Sequence, residues 1–265
     1  MNPADGPAAC ITGATSGIGA AFAERFAERG YDLILTGRRL DKIRAAAERI
    51  AGRYKVTVDV VPAELSDEKQ VDALAARLEA LDNLEVLVNN AGFAQKGRFF
   101  EEDFSVHERM LKVHDLATIR LAHAVLPGMI ARRRGAVINV SSISAFLPFP
   151  KNAMYSATKS LLNIFTEALH FELHGTGVKV QALCPGMTRT DFHERMGLDP
   201  GRVYKQRGIM KAMAPEAVVD ASLAGLRKNR VILIPGLNNR LMVSLIRILP
   251  RRLLVSLTRS RMRRR

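Results

Sequence analysis

The chain has 265 residues, of which 48% are hydrophobic and 25% charged, and this composition is that of an ordinary globular protein. Two cysteines are too few for a disulfide scaffold, no signal peptide is visible, and no apolar run reaches the ~18 residues of a membrane span, so we expect a cytoplasmic protein. The net charge of +14 is concentrated at one end, because twelve lysines and arginines and no acidic residue follow Asp220.

Short apolar runs alternate with helical patterns along the chain. The predicted strands are residues 8–12, 32–36, 56–61, 85–88, 136–140, 178–184 and 231–234. The predicted helices are residues 20–30, 40–51, 67–81 with Ser66 as the cap, 104–131, and a segment after Pro150. This alternation implies right-handed crossovers and a parallel sheet that is covered on both faces. We predict one domain over residues 1–236 with a C-terminal extension over 237–265.

A glycine loop lies between the first predicted strand and the first predicted helix. Gly13 permits the turn, Gly17 allows the backbone to approach a pyrophosphate, and Gly19 allows close packing of helix on strand. A helix N-terminus in this position favours an anion, so the arrangement predicts a dinucleotide site. The spacing differs from the standard fingerprint, and the alternative for a glycine cluster alone is a plain turn.

The end of the second strand selects the cofactor. An acidic residue here would bind the ribose 2′-hydroxyl, whereas this chain has Arg38 and Arg39. Guanidinium groups grip a phosphate in bidentate fashion, so we predict NADP(H) rather than NAD(H). The alternative is that both arginines solvate the start of a helix.

Tyr155 and Lys159 are four residues apart in an apolar pattern with helical spacing, so they share a helix face. A free phenol titrates near pH ~10, and a neighbouring ammonium favours the phenolate. We therefore predict a lowered pKa for Tyr155 and an acid–base pair for an alcohol. The hydroxyl of Ser142, after the strand 136–140, is placed to hold a carbonyl oxygen. For the pair alone, solvated surface residues are the alternative.

Together these residues resemble the classical short-chain dehydrogenase/reductase family, over about residues 8–236. The motifs are Thr12 to Gly19, Asn89-Asn-Ala-Gly92, Ser142 with Tyr155 and Lys159, and Pro185-Gly186 with Thr188. The resemblance implies a three-layer, doubly wound α/β fold of the Rossmann type with a seven-stranded parallel sheet. It also implies hydride transfer between a nicotinamide and a carbonyl or alcohol carbon, and we expect a homo-oligomer.

The resemblance gives each site residue a role. Tyr155 would donate the proton in reduction, Lys159 would bind the nicotinamide ribose and lower the pKa of the tyrosine, and Ser142 would position the substrate oxygen. The residues implied in cofactor binding are Gly13, Ser16, Gly17, Ile18, Gly19, Arg38, Arg39, Glu64, Leu65, Asn90, Gly92, Tyr155, Lys159, Pro185, Gly186 and Thr188. The asparagine pair would equally serve to tie strands together.

Two positions depart from the family pattern. His114 stands where the family usually has an asparagine that supports a proton-relay water, and it is a candidate catalytic residue because imidazole also holds a water and titrates near neutrality. The alternative is a packed or solvated histidine. Glu64 stands where an aspartate is usual near the adenine, and we expect it to act through a longer arm.

The segment near residues 187–213 would close over the substrate as a lid. Its methionines (Met187, Met196, Met210 and Met213) suit an irregular apolar substrate, although packing is the alternative. The tail forms a basic amphipathic helix over residues 240–249, ended by Pro250. It would lie on an anionic membrane surface, or pack its apolar side on the domain or a partner subunit. It lacks aromatic residues for base stacking, and we expect no nucleic acid.

Two functions are compatible with these features. The first is an NADP(H)-dependent oxidoreductase that interconverts a carbonyl and an alcohol on an apolar small molecule. The second is a cofactor-binding regulatory or membrane-associated protein with little turnover. The complete set of Ser142, Tyr155 and Lys159 favours the enzyme, and no metal site is predicted.

Overall fold

The computed structural model describes residues 6–95, 97–192, 196, 199, 212–250 and 252–253. Seven strands form one sheet in these residues: β1 (Ala8–Thr12), β2 (Asp32–Gly37), β3 (Val58–Pro62), β4 (Leu84–Asn89), β5 (Gly135–Val140), β6 (Val178–Leu183) and β7 (Ile232–Leu233). All neighbouring strands are parallel, in the order β3-β2-β1-β4-β5-β6-β7. The predicted doubly wound fold is confirmed, and the strand order reverses between β1 and β4, where such sheets open a crevice for ligands.

Helices cover both faces of the sheet. They are α1 (Gly17–Ala27), α2 (Leu40–Tyr54), α3 (Glu68–Glu79), α4 (Phe104–Leu111), α5 (Ala117–Ala131), α6 (Ala153–Glu172), α7 (Pro215–Arg227) and α8 (Leu237–Ile248). Apolar side chains of α3 and α5 pack on one face around Leu74 and Leu121, and those of α1, α2 and α7 pack on the other around Phe22, Ile43 and Val219. Burial on both faces explains why the central strands β1 and β5 are nearly continuous apolar runs.

The helix predicted over residues 104–131 contains a break in its regularity. Between α4 and α5 lies a π turn (Lys112–Leu116), which places His114 and Asp115 in the buried interior. Single π turns inside helices are often found at functional sites, because the extra residue redirects side chains. The periodicity of the sequence does not reveal such an insertion.

The predicted cap of α3 is wrong by one residue. Asp67, not Ser66, is the N-cap, and its carboxylate accepts hydrogen bonds from the backbone N–H groups of Lys69 and Gln70. The hydroxyl of Ser66 donates instead to Glu64 Oε1 at 2.8 Å. Ser66 is therefore used in the turn that leads from β3 to the helix.

The C-terminal helix α8 packs one side against the domain. Val243 is buried, and the guanidinium of Arg247 lies 4.7 Å from the ring centroid of Phe146, in the 3-10 turn (Ile143–Phe146). Residues 251 and 254–265 of the predicted extension, and residues 193–195, 197–198 and 200–211 of the predicted lid, lie outside the described residues. Within the described ranges, no helix has both the length and the apolar character needed to cross a bilayer.

Candidate active site

The glycine loop has the backbone geometry that its sequence predicts. Gly13 has φ +67° and Gly17 has φ +58°, in the left-handed region that favours glycine. A Cβ on Gly19 would come within 2.4 Å of the Gly13 carbonyl oxygen and of the Asn90 amide, so this position requires the close approach that only glycine permits. The loop therefore forms an open cradle of backbone at the N-terminus of α1, a fit for a phosphate group.

The asparagine pair ties strands together. Asn90 Nδ2 donates to the carbonyl oxygens of Thr12 and Gly13 at 2.9 and 3.1 Å, which joins β4 to the end of β1. Asn89 Nδ2 donates to Asn139 Oδ1 at 3.0 Å, which joins β4 to β5. Asn90 also lines the cleft. Its position is therefore compatible with both predicted roles, which are to join strands and to contact a cofactor.

Two arginines lie at the far end of the cleft, as predicted, and both line it. Arg39 Nη2 donates to Thr15 Oγ1 in the glycine loop at 2.9 Å. Arg38 is 58% exposed and its Nη1 lies 3.4 Å from Glu64 Oε2. Glu64 thus balances the charge of Arg38 at the surface, a contact that sequence spacing does not predict.

Three side chains converge where β5 ends against α6. The ammonium of Lys159 donates to the Val140 carbonyl oxygen at 2.8 Å and lies 5.8 Å from the ring centroid of Tyr155. The hydroxyl of Ser142 acts on the phenol of Tyr155 and lowers its pKa, against the effect of burial. Ser141 Oγ donates to the Lys159 carbonyl oxygen at 3.0 Å, so the strand end and the helix are joined by backbone and side chains alike. The predicted convergence is present.

The protonation states differ from the prediction for Tyr155. Burial raises the pKa of Tyr155 to about 12, and the Ser142 hydroxyl opposes this shift. The expected lowering by Lys159 is therefore wrong for this geometry, because removal of the phenolate from water outweighs its neighbours. Burial lowers the pKa of Lys159 to about 8, while the charge of Asp115 opposes that shift. At neutral pH the phenol holds its proton.

His114 is a fixed hydrogen-bonded residue. Its Nε2 accepts from the Phe93 backbone N–H at 3.0 Å, so the ring proton lies on Nδ1, which contacts Thr158 Oγ1 at 3.0 Å. Thr158 Oγ1 donates to the Tyr155 carbonyl oxygen at 3.0 Å. Burial, with the charge of Lys159, lowers the pKa of His114 well below its usual value. The histidine is therefore neutral, and both nitrogens are engaged within the protein.

One continuous cleft of about 490 Å³ runs from the glycine loop to Ser142. The predicted residues that line it are Gly13, Ser16, Gly17, Ile18, Arg38, Arg39, Glu64, Leu65, Asn90, Gly92, Ser142, Tyr155, Lys159, Pro185, Gly186 and Thr188. Two predicted residues, Gly19 and His114, are not among its lining. The cleft joins a phosphate cradle to a proton donor, so its residues fit a nicotinamide dinucleotide.

The turn after β6 closes the inner end of the cleft. The Pro185 carbonyl oxygen accepts from the Ile143 backbone N–H at 3.0 Å, and Thr188 Oγ1 donates to the Gly186 carbonyl oxygen at 3.1 Å. A Cβ on Gly186 would meet the Asn239 side chain at 2.6 Å, so α8 lies directly behind this turn. The end of α8 that carries Asn239 therefore supports the catalytic end of the site.

Some lining residues carry no sequence signal of function. Phe93, Arg109, Phe149 and Phe192 line the cleft, beside the methionines Met187 and Met196 that the sequence pointed to. The ring centroid of Phe192 lies 6.0 Å from that of Tyr155. Isolated aromatic residues in loops show no periodic pattern in the sequence. The order of the motifs predicts that the loops lie at the edge of the sheet, but it does not predict which side chains come into contact there.

Comparison with known proteins gives the same family. A family model described as "short chain dehydrogenase" matches residues 7–200. Sulfoacetaldehyde reductase 2 of Chromohalobacter salexigens is 38% identical over 69% of this chain and 73% of its own length. The very-long-chain 3-oxoacyl-CoA reductase of Bos taurus is 34% identical, over 70% of this chain and 60% of its own length.

Solved structures extend the similarity to the fold. A short-chain dehydrogenase from Sphingobium yanoikuyae in complex with NADPH superposes with a TM-score of 0.82 and 35% identity, covering 87% of this chain and 88% of its own. The bulky-bulky ketone specific alcohol dehydrogenase of Comamonas testosteroni superposes with a TM-score of 0.78 and 30% identity, covering 94% and 96%. The chain also has a glycine loop, a seven-stranded parallel sheet and the set of Ser142, Tyr155 and Lys159. It therefore belongs to the classical short-chain dehydrogenase/reductase family of oxidoreductases, which interconvert carbonyl and alcohol groups.

Proposed function

We propose that the protein reduces a carbonyl group on an apolar small molecule with NADPH, with Tyr155 as the proton donor. The observation that carries this proposal is the convergence of Ser142, Tyr155 and Lys159 at the inner end of a cleft whose outer end holds two arginines. The alternative of a cofactor-binding protein with little turnover is not favoured, because the phenol, hydroxyl and ammonium meet in one place.

The chain's own groups account for the proton chemistry. A bound nicotinamide would supply the hydride. The Ser142 hydroxyl would hold the substrate oxygen beside the phenol, and Tyr155 would transfer its proton to that oxygen as negative charge develops there. The raised pKa of Tyr155 keeps the phenol protonated at neutral pH, which suits reduction. The Lys159 ammonium, held by the Val140 carbonyl, would stabilise the phenolate that remains.

The preference for NADPH is supported by Arg38 and Arg39. Both line the cleft beyond the end of β2, where the ribose of a dinucleotide lies in this fold. Guanidinium groups can bind a 2′-phosphate, and in that event Arg38 would exchange its contact with Glu64 for the phosphate. The Sphingobium yanoikuyae neighbour was solved with NADPH.

An apolar substrate is supported by the lining beside Tyr155. The Phe192 ring lies beside that of Tyr155, and Phe149, Met187 and Met196 are further apolar side chains of the cleft wall. Methionine adapts to irregular shapes. Neighbours with similar folds are described as acting on bulky ketones and as a 7β-hydroxysteroid dehydrogenase. We therefore propose a ring-containing or long-chain ketone as the substrate.

We propose a homo-oligomer formed through the exposed apolar face of α4 and α6. Phe104 is 70% exposed, Ile164 68% and Phe171 74%. These side chains lie on two helices that pack against each other. Large exposed apolar side chains favour an interaction surface, and a second copy of the same surface would bury them.

A second apolar surface lies on α8. Leu237, Leu241, Leu245 and Ile248 are each at least 60% exposed and recur at helical spacing, so they form one stripe. Arg240 and Arg247 are the charged residues of this helix, and no acidic residue follows Asp220. We propose that this stripe contacts an anionic membrane surface, because the uniform positive charge opposes contact between two copies.

We propose a cytoplasmic location, with one catalytic domain over residues 1–236 and an extension over 237–265. Cys10 and Cys184 are both buried and free, which agrees with a reducing compartment. The contact of Asn239 with Gly186 gives the extension a supporting role behind the cofactor turn as well as a surface role.

Replacement of Tyr155 by phenylalanine tests the proposed reaction. We expect Tyr155→Phe to lower kcat for carbonyl reduction by roughly 10²–10⁴-fold, because the proton donor is lost while the ring remains. NADPH binding, measured by fluorescence, should persist. Tyr31→Phe is the matched control, since that phenol lies 3.4 Å from Glu85 and does not line the cleft. Unchanged turnover of a ketone panel in Tyr155→Phe contradicts the role of the phenol.

Removal of one guanidinium tests the cofactor assignment. Arg38→Ala should weaken NADPH binding about tenfold or more, the value of a charge-assisted hydrogen bond, and leave NADH binding unchanged. Arg120→Ala is the control, because Arg120 is 54% exposed, pairs with Asp72 at 2.7 Å and lies outside the cleft lining. If the ratio of NADPH to NADH affinity stays constant, the phosphate assignment is wrong.

Two charge insertions separate the two apolar surfaces. Ile164→Glu should reduce the mass measured by light scattering towards the 29.2 kDa of one chain, and leave sedimentation with anionic phospholipid vesicles unchanged. Leu241→Glu should abolish sedimentation with the vesicles and leave the mass unchanged. Each variant is the control for the other. A wild-type mass of one chain overturns the first assignment, and equal sedimentation of wild type and Leu241→Glu overturns the second.

A further inference from the structure

Asp115 is a buried carboxylate that the proposed reaction does not use. It follows His114 in the π turn, and its side chain is 2% exposed. Neither of its carboxylate oxygens meets a hydrogen-bond donor among the residues that the structure describes. A buried carboxylate is costly unless it is paired with a charge or hydrogen-bonded, so a cation within reach is the expected compensation.

The charge of the Lys159 ammonium acts on this carboxylate. The helix α6, which carries Lys159, packs against the π turn. Lys159 Nζ and His114 Nε2 lie 3.7 and 3.0 Å from the point that a Cβ on Gly92 would occupy, so the ammonium and the π turn meet beside this glycine. Lys159 is 4% exposed and is therefore also a buried charge. Two buried charges of opposite sign thus lie on adjoining elements.

The other titratable groups around Lys159 are neutral. Burial raises the pKa of Cys184, after β6, to about 12, and burial raises the pKa of Tyr155, one turn earlier on α6, to the same value. The pKa of His114 lies well below its usual value. Among the described residues, Asp115 is therefore the anion whose field acts on the ammonium, and Lys159 is the charge that acts on the carboxylate.

Two hydrogen-bond acceptors lie at the ends of β4 and β5. Asn89 Nδ2 lies 3.5 Å from the Thr118 carbonyl oxygen, one turn after Asp115 on the same helical segment, and Asn89 Oδ1 also lacks a donor among the described residues. The Val140 carbonyl oxygen accepts directly from Lys159 Nζ. The Val140 carbonyl is thus an acceptor that stabilises the positive charge of the ammonium.

We propose that Asp115 is a positioning residue whose buried carboxylate keeps the Lys159 ammonium charged and directed into the cleft beneath Tyr155. The proposal rests on the proposed function, since it explains how a buried lysine serves the phenol. It also accounts for the π turn, because the redirected backbone brings the Asp115 carboxylate towards α6.

The dependence on pH has a defined sign. Burial lowers the pKa of Lys159 to about 8, and the Asp115 carboxylate opposes this shift, so loss of the carboxylate lowers the pKa of Lys159 further. In an Asp115→Asn variant, Lys159 therefore loses its proton and its positive charge at a lower pH than in the wild type. Burial raises the pKa of Asp115 itself to about 7. At pH 6 the wild-type carboxylate is protonated, and the two proteins should behave alike.

NADPH binding across pH provides the test. We expect Asp115→Asn to bind NADPH as the wild type does at pH 6, and to lose affinity about one pH unit earlier as the pH rises to 8.5, which is about a fivefold difference near pH 8. The value of kcat/KM for ketone reduction should fall over the same range. Asp72→Asn is the control, because it removes an exposed carboxylate that pairs with Arg120.

The outcomes are distinct. Identical pH profiles of Asp115→Asn and wild type overturn the proposal, and so does an affinity that is lower by the same factor at every pH, which is the mark of a structural role. If Asp115→Asn does not fold, Asp115→Ser must show the same displacement of the binding profile. A wild type that binds NADPH without turnover overturns the proposed function, while the binding profiles still decide the role of Asp115.

Discussion

The site depends on one contact, the hydrogen bond from the Lys159 ammonium to the Val140 carbonyl oxygen at 2.8 Å. It joins the last residue of β5 to the helix that carries Tyr155, and it fixes a positive charge in an interior that disfavours charge. Because Ser142 follows Val140 by two residues and Tyr155 precedes Lys159 by one helical turn, this single bond sets the distance between hydroxyl, phenol and ammonium. The fold makes this contact possible because it brings the end of β5 close to α6.

A series of hydrogen bonds between uncharged groups also fixes the position of α6 near Tyr155. The Phe93 backbone N–H, the ring of His114, Thr158 Oγ1 and the Tyr155 carbonyl oxygen follow each other at about 3.0 Å. These bonds link the loop after β4 to the first turn of α6. His114 therefore contributes as a fixed spacer, and the titratable partner of Lys159 lies one residue further along, at Asp115.

Much of the fold and of the site was predictable from the sequence, because its signals are local. The strands are apolar runs, Gly13 and Gly17 adopt the backbone that only a glycine adopts easily, and Tyr155 and Lys159 are one helical turn apart. The predictions that failed concern burial and competition between neighbours. The direction of the pKa shift of Tyr155 depends on desolvation, and Ser66 loses the cap of α3 because Glu64 engages its hydroxyl.

A titration of Lys159 tests the central claim most directly. The signal of its side chain in protein with ¹³C-labelled lysine, assigned by comparison with Lys159→Met, reports the charge of the ammonium through the pH range. If the ammonium is buried against the Val140 carbonyl, the midpoint should lie at about 8. A midpoint at the ordinary value of 10.5 would show a solvated lysine and contradict the account.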